Sequence, residues 1–254
     1  NNMLARLESA YKELEEAYRK QRRFVSDASH ELRTPLTTIR GNIELLEKMW
    51  QQQGPEHEMS LEAMKDISSE AERMSRLVSD LLALARADAG LRIEKSPVEM
   101  RDVLDDVVRK AEFLPRSIDF VTGDLSAADG VFVNGNRDYI EQVLFILIDN
   151  AFKYTNEGFV ELSAQRMKDQ LGVRIRDTGI GMEPEEVPQI FERFYRADTS
   201  RGVTSGTGLG LSIAKWIIDE HGGSIEVFTR KNRGSTFVLW FPIHRPEIGD
   251  KSAG

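Results

Sequence analysis

Phe24-Val25-Ser26-Asp27-Ala28-Ser29-His30-Glu31-Leu32-Arg33-Thr34-Pro35-Leu36 sets a histidine, several hydroxyls and a proline inside a regular apolar seam. Before it, Leu4, Leu7, Tyr11, Leu14, Tyr18, Gln21, Val25, Ala28 and Leu32 recur at spacings of three and four. That is a heptad pattern, the mark of a coiled coil rather than of a helix lying on a sheet. At Pro35 the phase slips by four, from Leu32 to Leu36, then resumes through Ile39, Ile43 and Leu46. Such a stutter unwinds a supercoil locally, and proline removes a backbone donor, so a bend is expected there. His30 lies two residues after the seam position Ala28, on the outermost heptad position, solvated and within reach of a large partner. Thr34, at i+4, shares its helical face. Neutral imidazole is a competent nitrogen nucleophile near physiological pH. Glu31 could keep one ring nitrogen protonated and the other free, although neighbouring side chains diverge on a helix.

Working outward, residues 51–60 are polar and contain Gly54-Pro55, a turn signal. Met64, Ile67, Ala71, Met74, Val78, Leu81 and Ala85 then form a second amphipathic run that ends near Gly90. Two such helices make a hairpin whose apolar face is too broad to bury alone, and a dimeric four-helix bundle solves that problem. From Ser96 the texture changes. Short β-branched runs at 159–162, 173–175, 225–229 and 236–241 alternate with helical stretches at 100–113, 139–152 and 211–221. Asn232-Arg233-Gly234 reads as a hairpin turn. This half is expected to be an α/β sandwich of mixed sheet and helices, with its boundary in 88–97.

Composition bounds the function. The 254 residues suit one large domain or two ordinary ones. Forty-two acids against thirty-four bases leave a net charge of −8, which argues against a nucleic-acid partner. Without cysteine there is no disulfide, thiolate metal site or thiol nucleophile. The longest apolar run, 143–148, is far short of the ~20 residues that span a bilayer, and the polar residues 1–9 carry no leader signature.

Three further motifs look like parts of one phosphate-binding site. Asp177-Thr178-Gly179-Ile180-Gly181-Met182 follows a strand, and Gly206-Thr207-Gly208-Leu209-Gly210-Leu211 opens a helix. Glycines let backbone approach phosphates, and a helix N-terminus offers free N–H groups with partial positive charge. The second motif is G-x-G-x-G, not the dinucleotide fingerprint, and lies too near the C-terminus to begin a βαβ unit. Asp149-Asn150-Ala151-Phe152-Lys153-Tyr154-Thr155 closes an amphipathic helix. Asn150 offers an amide oxygen to Mg²⁺, Lys153 can reach a phosphate, and Tyr154 can wall a base. An ionised Asp177 only accepts hydrogen bonds, so it pairs with the amino group of adenine and repels the guanine carbonyl, favouring ATP over GTP.

The segment around His30 closely resembles the phosphoacceptor box of the sensor histidine kinases of two-component systems, F-x-x-x-x-S-H-E-L-R-T-P-L. The glycine motifs and Asn150 stand in the order and approximate spacing of the N, G1 and G2 boxes of the ATP-binding fold shared by those kinases, Hsp90, DNA gyrase and MutL. Phe191-Glu192-Arg193-Phe194-Tyr195-Arg196 is similar to the kinases' F box. The resemblance implies a homodimer in which ATP phosphorylates His30 with help from Glu31. The phosphoryl group would then pass to an aspartate of a response-regulator receiver domain, and Thr34 would orient water in the reverse, phosphatase, reaction. It further implies ATP and Mg²⁺ as cofactors, with Asn150 holding the metal and Lys153, Tyr154, Asp177, Gly179, Gly181, Thr207, Gly208, Leu209 and Gly210 around the nucleotide. The stretch 183–205 suits a mobile lid, with Arg196 as the candidate that neutralises γ-phosphate charge.

The expected organisation is a signalling-linker end at 1–22, a dimerisation and phosphotransfer domain at 23–90, an ATP-binding catalytic domain at 96–245 and a polar tail at 246–254. Such a chain would be the cytoplasmic portion of a cell-membrane sensor, with a membrane-embedded region upstream. One departure stands out: kinases of this family usually carry a second, Mg²⁺-holding asparagine four residues before the one matching Asn150, and here it is Ile146. Weaker Mg–ATP binding or slower phosphorylation is expected. The alternatives weighed are an ATP-driven conformational machine of the chaperone or gyrase type, which has no reason to carry the His30 box, and a non-catalytic dimeric scaffold, for which Ile146 is the only support.

Overall fold

Leucine, glutamate, alanine and arginine dominate the first ninety residues, and all favour helix. In the computed structural model they form α1 (Asn2–Gln51) and α2 (His57–Asp88). The structure describes residues 2–51, 57–114, 118–196 and 206–245. The Gly54-Pro55 turn, the second part of the lid stretch (197–205) and the 246–254 tail lie outside the described residues. The chain divides into two compact units, residues 1–85 and 86–254.

In the first unit Pro35 is buried inside α1 without ending it. Hydroxyls around it bond back along the helix: Ser29 donates to the Val25 carbonyl at 2.8 Å and Thr37 to that of Arg33 at 2.9 Å. Thr34 and Thr38 reach the His30 and Thr34 carbonyls at 3.4 Å. Back-bonding of this kind lets a helix bend without breaking. Leu77, Leu84, Ala63 and Ala83 are buried, whereas Leu4, Leu7, Tyr11, Leu14, Tyr18, Val25 and Leu36 of the seam stay exposed. Among the described residues no helix is long and apolar enough to cross a membrane.

The second unit is a helix-backed mixed sheet. Its elements are β1 (Ser96–Glu99), α3 (Met100–Glu112), β2 (Asp119–Thr122), β3 (Phe132–Gly135), α4 (Arg137–Tyr154), β4 (Phe159–Met167), β5 (Gln170–Asp177), α5 (Gly210–Glu220), β6 (Ser224–Thr229) and β7 (Ser235–His244). The strands run β1-β3-β7-β5-β4-β2, with β6 also on β7. Among the described residues β2 pairs with β4 in parallel, and the other pairings are antiparallel. On one face Leu162, Leu171, Val173, Ile175, Leu239 and Phe241 are buried, as are Val103, Leu104 and Val107 of α3, Ile140, Leu144, Leu147 and Ile148 of α4, and Ile213, Ile217 and Ile218 of α5. Strands β1, β2 and β3 were not expected. Each is only four residues long, too short to display an alternation.

His221, at the C-cap of α5, ties the two site-bearing helices together. Its Nδ1 lies 2.6 Å from the Ile217 carbonyl, and its Nε2 accepts the Asn136 N–H at 3.1 Å. Asn136 in turn caps α4, its side-chain oxygen accepting from Asp138 at 3.1 Å and Tyr139 at 3.3 Å. With Nε2 an acceptor and Nδ1 a donor, the ring is held neutral. Burial lowers its pKa; the Ile217 carbonyl works against that, Lys95 adds to it and Glu220 opposes it. A lowered histidine pKa means the unfolded chain takes up the proton first, so stability is intact above the ordinary value of 6.5 and is lost as pH falls below it. Thermal unfolding across this range is expected to show that loss. His221→Gln, which takes up no proton, should be less stable at neutral pH by about 1 kcal/mol but largely free of the acid dependence.

Candidate functional site

Where β5 ends, its last residue turns a carboxylate inward. Asp177 is buried, and its Oδ1 accepts two backbone N–H groups, from Gly179 at 2.9 Å and Ser235 at 3.1 Å. The first bond closes the turn after β5, and the second pins that turn to the start of β7. Oδ2 has no protein partner among the described residues. Burial pushes the carboxyl above its ordinary value, and the Gly179 and Ser235 N–H groups pull it back.

Asp177 lies in the wall of a cleft with Asn150, Ala151 and Tyr154 of α4, Ile180, Gly181 and Met182 of the turn, Glu186, Ile190, Tyr195 and Arg196 beyond it, Leu211 of α5, and Ser235 and Phe237 of β7. The walls are mostly apolar, with a few polar groups converging: the arrangement of a small-molecule site. The turn is seated on α4, because the Ile180 N–H donates to the Tyr154 carbonyl at 3.0 Å. A Cβ on Gly179 would stand 2.1 Å from that same carbonyl oxygen, so only glycine allows this approach.

Leu211 brings the first turn of α5 to the cleft. Among the described residues no side chain caps this helix, and its first turn holds no acidic residue, which leaves its N–H groups available to an anion. Gly208, at φ +71°, precedes it; its carbonyl accepts the Phe194 N–H at 2.9 Å. Phe194 itself has φ +60°, a costly conformation for a side chain of its size, held by this bond to the glycine loop. Thus the 191–196 segment and the 206–211 loop form one frame.

Of the residues singled out from the sequence, Asn150, Tyr154, Asp177, Gly181 and Arg196 line the cleft together. Gly179 shapes the turn behind it. Thr207, Gly208, Leu209 and Gly210 support the start of α5 and are not in the lining; Thr207 Oγ1 accepts the Leu209 N–H at 3.4 Å. Lys153 is not in the lining either and pairs with Asp149 on its own helix. Ile146 is half-buried, its Cγ2 3.2 Å from where a Cβ on Gly210 would lie, so it packs on the start of α5. Asn150 remains the one amide oxygen from α4 at the cleft. Among the described residues no cluster of three carboxylate or imidazole groups could hold a metal by itself. A Mg²⁺ ion bound chiefly by phosphate oxygens and water, with Asn150 as protein ligand, fits this donor set.

In the first unit His30 and Thr34 are exposed, and Glu31 is half-buried. The Glu31 carboxylate meets Arg73 of α2 at 3.4 Å. Sequence reasoning missed Arg73 and Ser235. Arg73 is one of many arginines on a charged helix, and the role of Ser235 comes from its backbone N–H, which no side-chain pattern reports.

Residues 135–245 match the family "Histidine kinase-, DNA gyrase B-, and HSP90-like ATPase", and residues 20–90 match "His Kinase A (phospho-acceptor) domain". The chain is 40% identical over 229 residues to the sensor histidine kinase YkoH of Bacillus subtilis, an alignment covering 90% of this chain and 49% of that protein. It is 35% identical over 245 residues to the signal transduction histidine-protein kinase ArlS of Staphylococcus haemolyticus, covering 95% and 53%. Among solved structures it resembles histidine kinase ThkA in complex with response regulator protein TrrA, with a TM-score of 0.64, 25% identity, and 91% of this chain and 66% of that one covered. The chain spans about half the length of the curated relatives it matches. It belongs to the sensor histidine kinases of two-component systems.

Asp177→Asn separates recognition from stability. The amide oxygen can still accept the Gly179 and Ser235 N–H groups, but an NH₂ replaces the acceptor facing the cleft. Because burial disfavours the charged form, the neutral variant should unfold at an equal or higher temperature at neutral pH. Its ATP affinity, measured by calorimetry, should fall by about tenfold or more.

Proposed function

We propose that the chain binds Mg–ATP in the cleft around Asp177, transfers the γ-phosphoryl group to His30, and passes it on to an aspartate of a response-regulator receiver domain. The observation that carries this reading is the buried Asp177, with one oxygen spent on two backbone N–H groups and the other left to an adenine amino group. Tyr154, Ile180, Met182 and Phe237 offer apolar surface to the base, and the uncapped start of α5, with Arg196, offers positive potential to the phosphates. The metal would neutralise phosphate charge during transfer. In the transfer, an imidazole nitrogen lone pair forms the N–P bond as the bond from phosphorus to the β,γ-bridging oxygen breaks. ADP leaves with that electron pair, and the other ring nitrogen gives its proton to the Glu31 carboxylate or to water, leaving a neutral phosphorylated ring. Glu31 assists the ring, and Thr34, on the same exposed face, orients water when the regulator's aspartyl phosphate is hydrolysed.

The exposed seam of Leu4, Leu7, Tyr11, Leu14 and Tyr18 supports a homodimer, since a second copy would bury it. The expected boundaries at 1–22, 23–90, 96–245 and 246–254 remain the proposed organisation. The longer relatives support the view that the chain works as the cytoplasmic part of a membrane sensor.

Incubation with γ-labelled ATP should give acid-labile, alkali-stable label that disappears in His30→Ala. Label insensitive to that change overturns the reading. ATP hydrolysis without label points instead to a conformational machine, and no reaction at all to a scaffold. Ile146→Asn adds an oxygen ligand beside Asn150 and should tighten Mg–ATP binding or speed labelling by about threefold or more. If both stay as in the unsubstituted chain, Ile146 does not limit the site.

A further inference from the structure

We propose that Arg73 is a positioning residue for the phosphoacceptor: it holds the Glu31 carboxylate against α2 and away from His30, in competition with Glu70. The proposal rests on the reading of His30 as the acceptor. Arg73 Nη2 lies 3.4 Å from Glu31 Oε2, and its Nη1 lies 3.4 Å from Glu70 Oε2. The three side chains are 25% (Arg73), 32% (Glu31) and 23% (Glu70) exposed, so water screens them only in part. His30, the residue before Glu31, is exposed.

Consecutive side chains on a helix diverge by about 100°. A Glu31 turned toward α2 therefore cannot also reach an imidazole that points to solvent. Reaching the ring would require a different rotamer and release of Arg73. The guanidinium fork makes that release inexpensive, because it serves two carboxylates through different nitrogens and keeps Glu70 when Glu31 departs. One cation is thus shared by two acids, and each acid weakens the hold on the other.

Opposite substitutions then have opposite effects. Arg73→Met leaves two half-buried carboxylates repelling one another and drives Glu31 outward, where it can hold the second ring nitrogen protonated and free the attacking one. Glu70→Gln removes the competitor and gives Arg73 wholly to Glu31. Arg73→Lys keeps a cation but loses the fork, and should lie between Arg73→Met and the unsubstituted chain.

The test uses the full chain, γ-labelled ATP, and the ¹⁵N signals of the His30 ring. Arg73→Met should raise the initial labelling rate by about two- to fivefold without changing the KM for ATP, and shift the ring toward the Nδ1–H tautomer. Glu70→Gln should lower the rate by a similar factor. An Arg73→Met rate that is unchanged or lower at full helix content overturns the proposal, as does movement of both variants in one direction. Should Arg73→Met unfold the hairpin, Glu70→Gln decides alone: an unchanged rate overturns it. Should no protein label His30, the function proposed above fails, and the ring signals still judge the latch, since an unshifted tautomer in Arg73→Met refutes it.

Discussion

A buried carboxylate has to be answered by hydrogen-bond donors, and the second unit is organised around meeting that need at Asp177. The Gly179 N–H closes the turn after β5, and the Ser235 N–H joins that turn to β7. Neither donor is a side chain. The charge is therefore held by backbone that folding itself positions, and this leaves the outer oxygen free to read a ligand. Gly179 has no Cβ because the Tyr154 carbonyl is already there, so the end of α4 and the turn share one fixed spacing. A site built this way is organised before the nucleotide arrives.

The same economy appears where helices meet. His221 links the C-terminal end of α5 to the cap of α4 through one neutral ring, with a donor on one side and an acceptor on the other. Since α4 brings Asn150 and Tyr154 and α5 brings its open N-terminus, the clamp holds two walls of the cleft from their far ends. The 206–211 loop is locked to the 191–196 segment by the bond from Phe194 to Gly208, at the cost of a left-handed phenylalanine. Strain of that kind is found where a particular backbone position is worth more than local comfort.

The first unit follows different rules. Much of its apolar seam is exposed along α1, while Leu77 and Leu84 of α2 are buried and Arg73 of α2 pairs with Glu31 of α1. Pro35 would break an unsupported helix, yet α1 continues through it, with four hydroxyls bonding back to carbonyls in the surrounding turns. Charge is shared near His30: Arg73, which pairs with Glu31, also pairs with Glu70. Ion pairs at such exposure are weak, which suits a contact that has to be made and released.

Periodicity and glycine spacing by themselves indicated the helical hairpin, a half that mixes sheet and helix, and the exposed position of His30. These were legible because a heptad seam, a glycine turn and a helix start each leave a local mark. Residue chemistry marked Asn150, Tyr154 and Asp177, Arg196 came from the family resemblance, and the apolar cleft wall of Ile180, Met182, Ile190 and Phe237 emerged only with the fold. The three short strands left no local mark, and neither did Ser235, whose contribution is a backbone N–H delivered by sheet register. Lys153 pairs with Asp149 one turn earlier on its own helix, a local i,i+4 partner that helical spacing already offers. Only tertiary structure decided that Ile146 would pack on Gly210. It also decided that Glu31 would face Arg73, forty-two residues away in the chain. Long side chains choose among partners by distance and burial, and both are set only after the elements have packed.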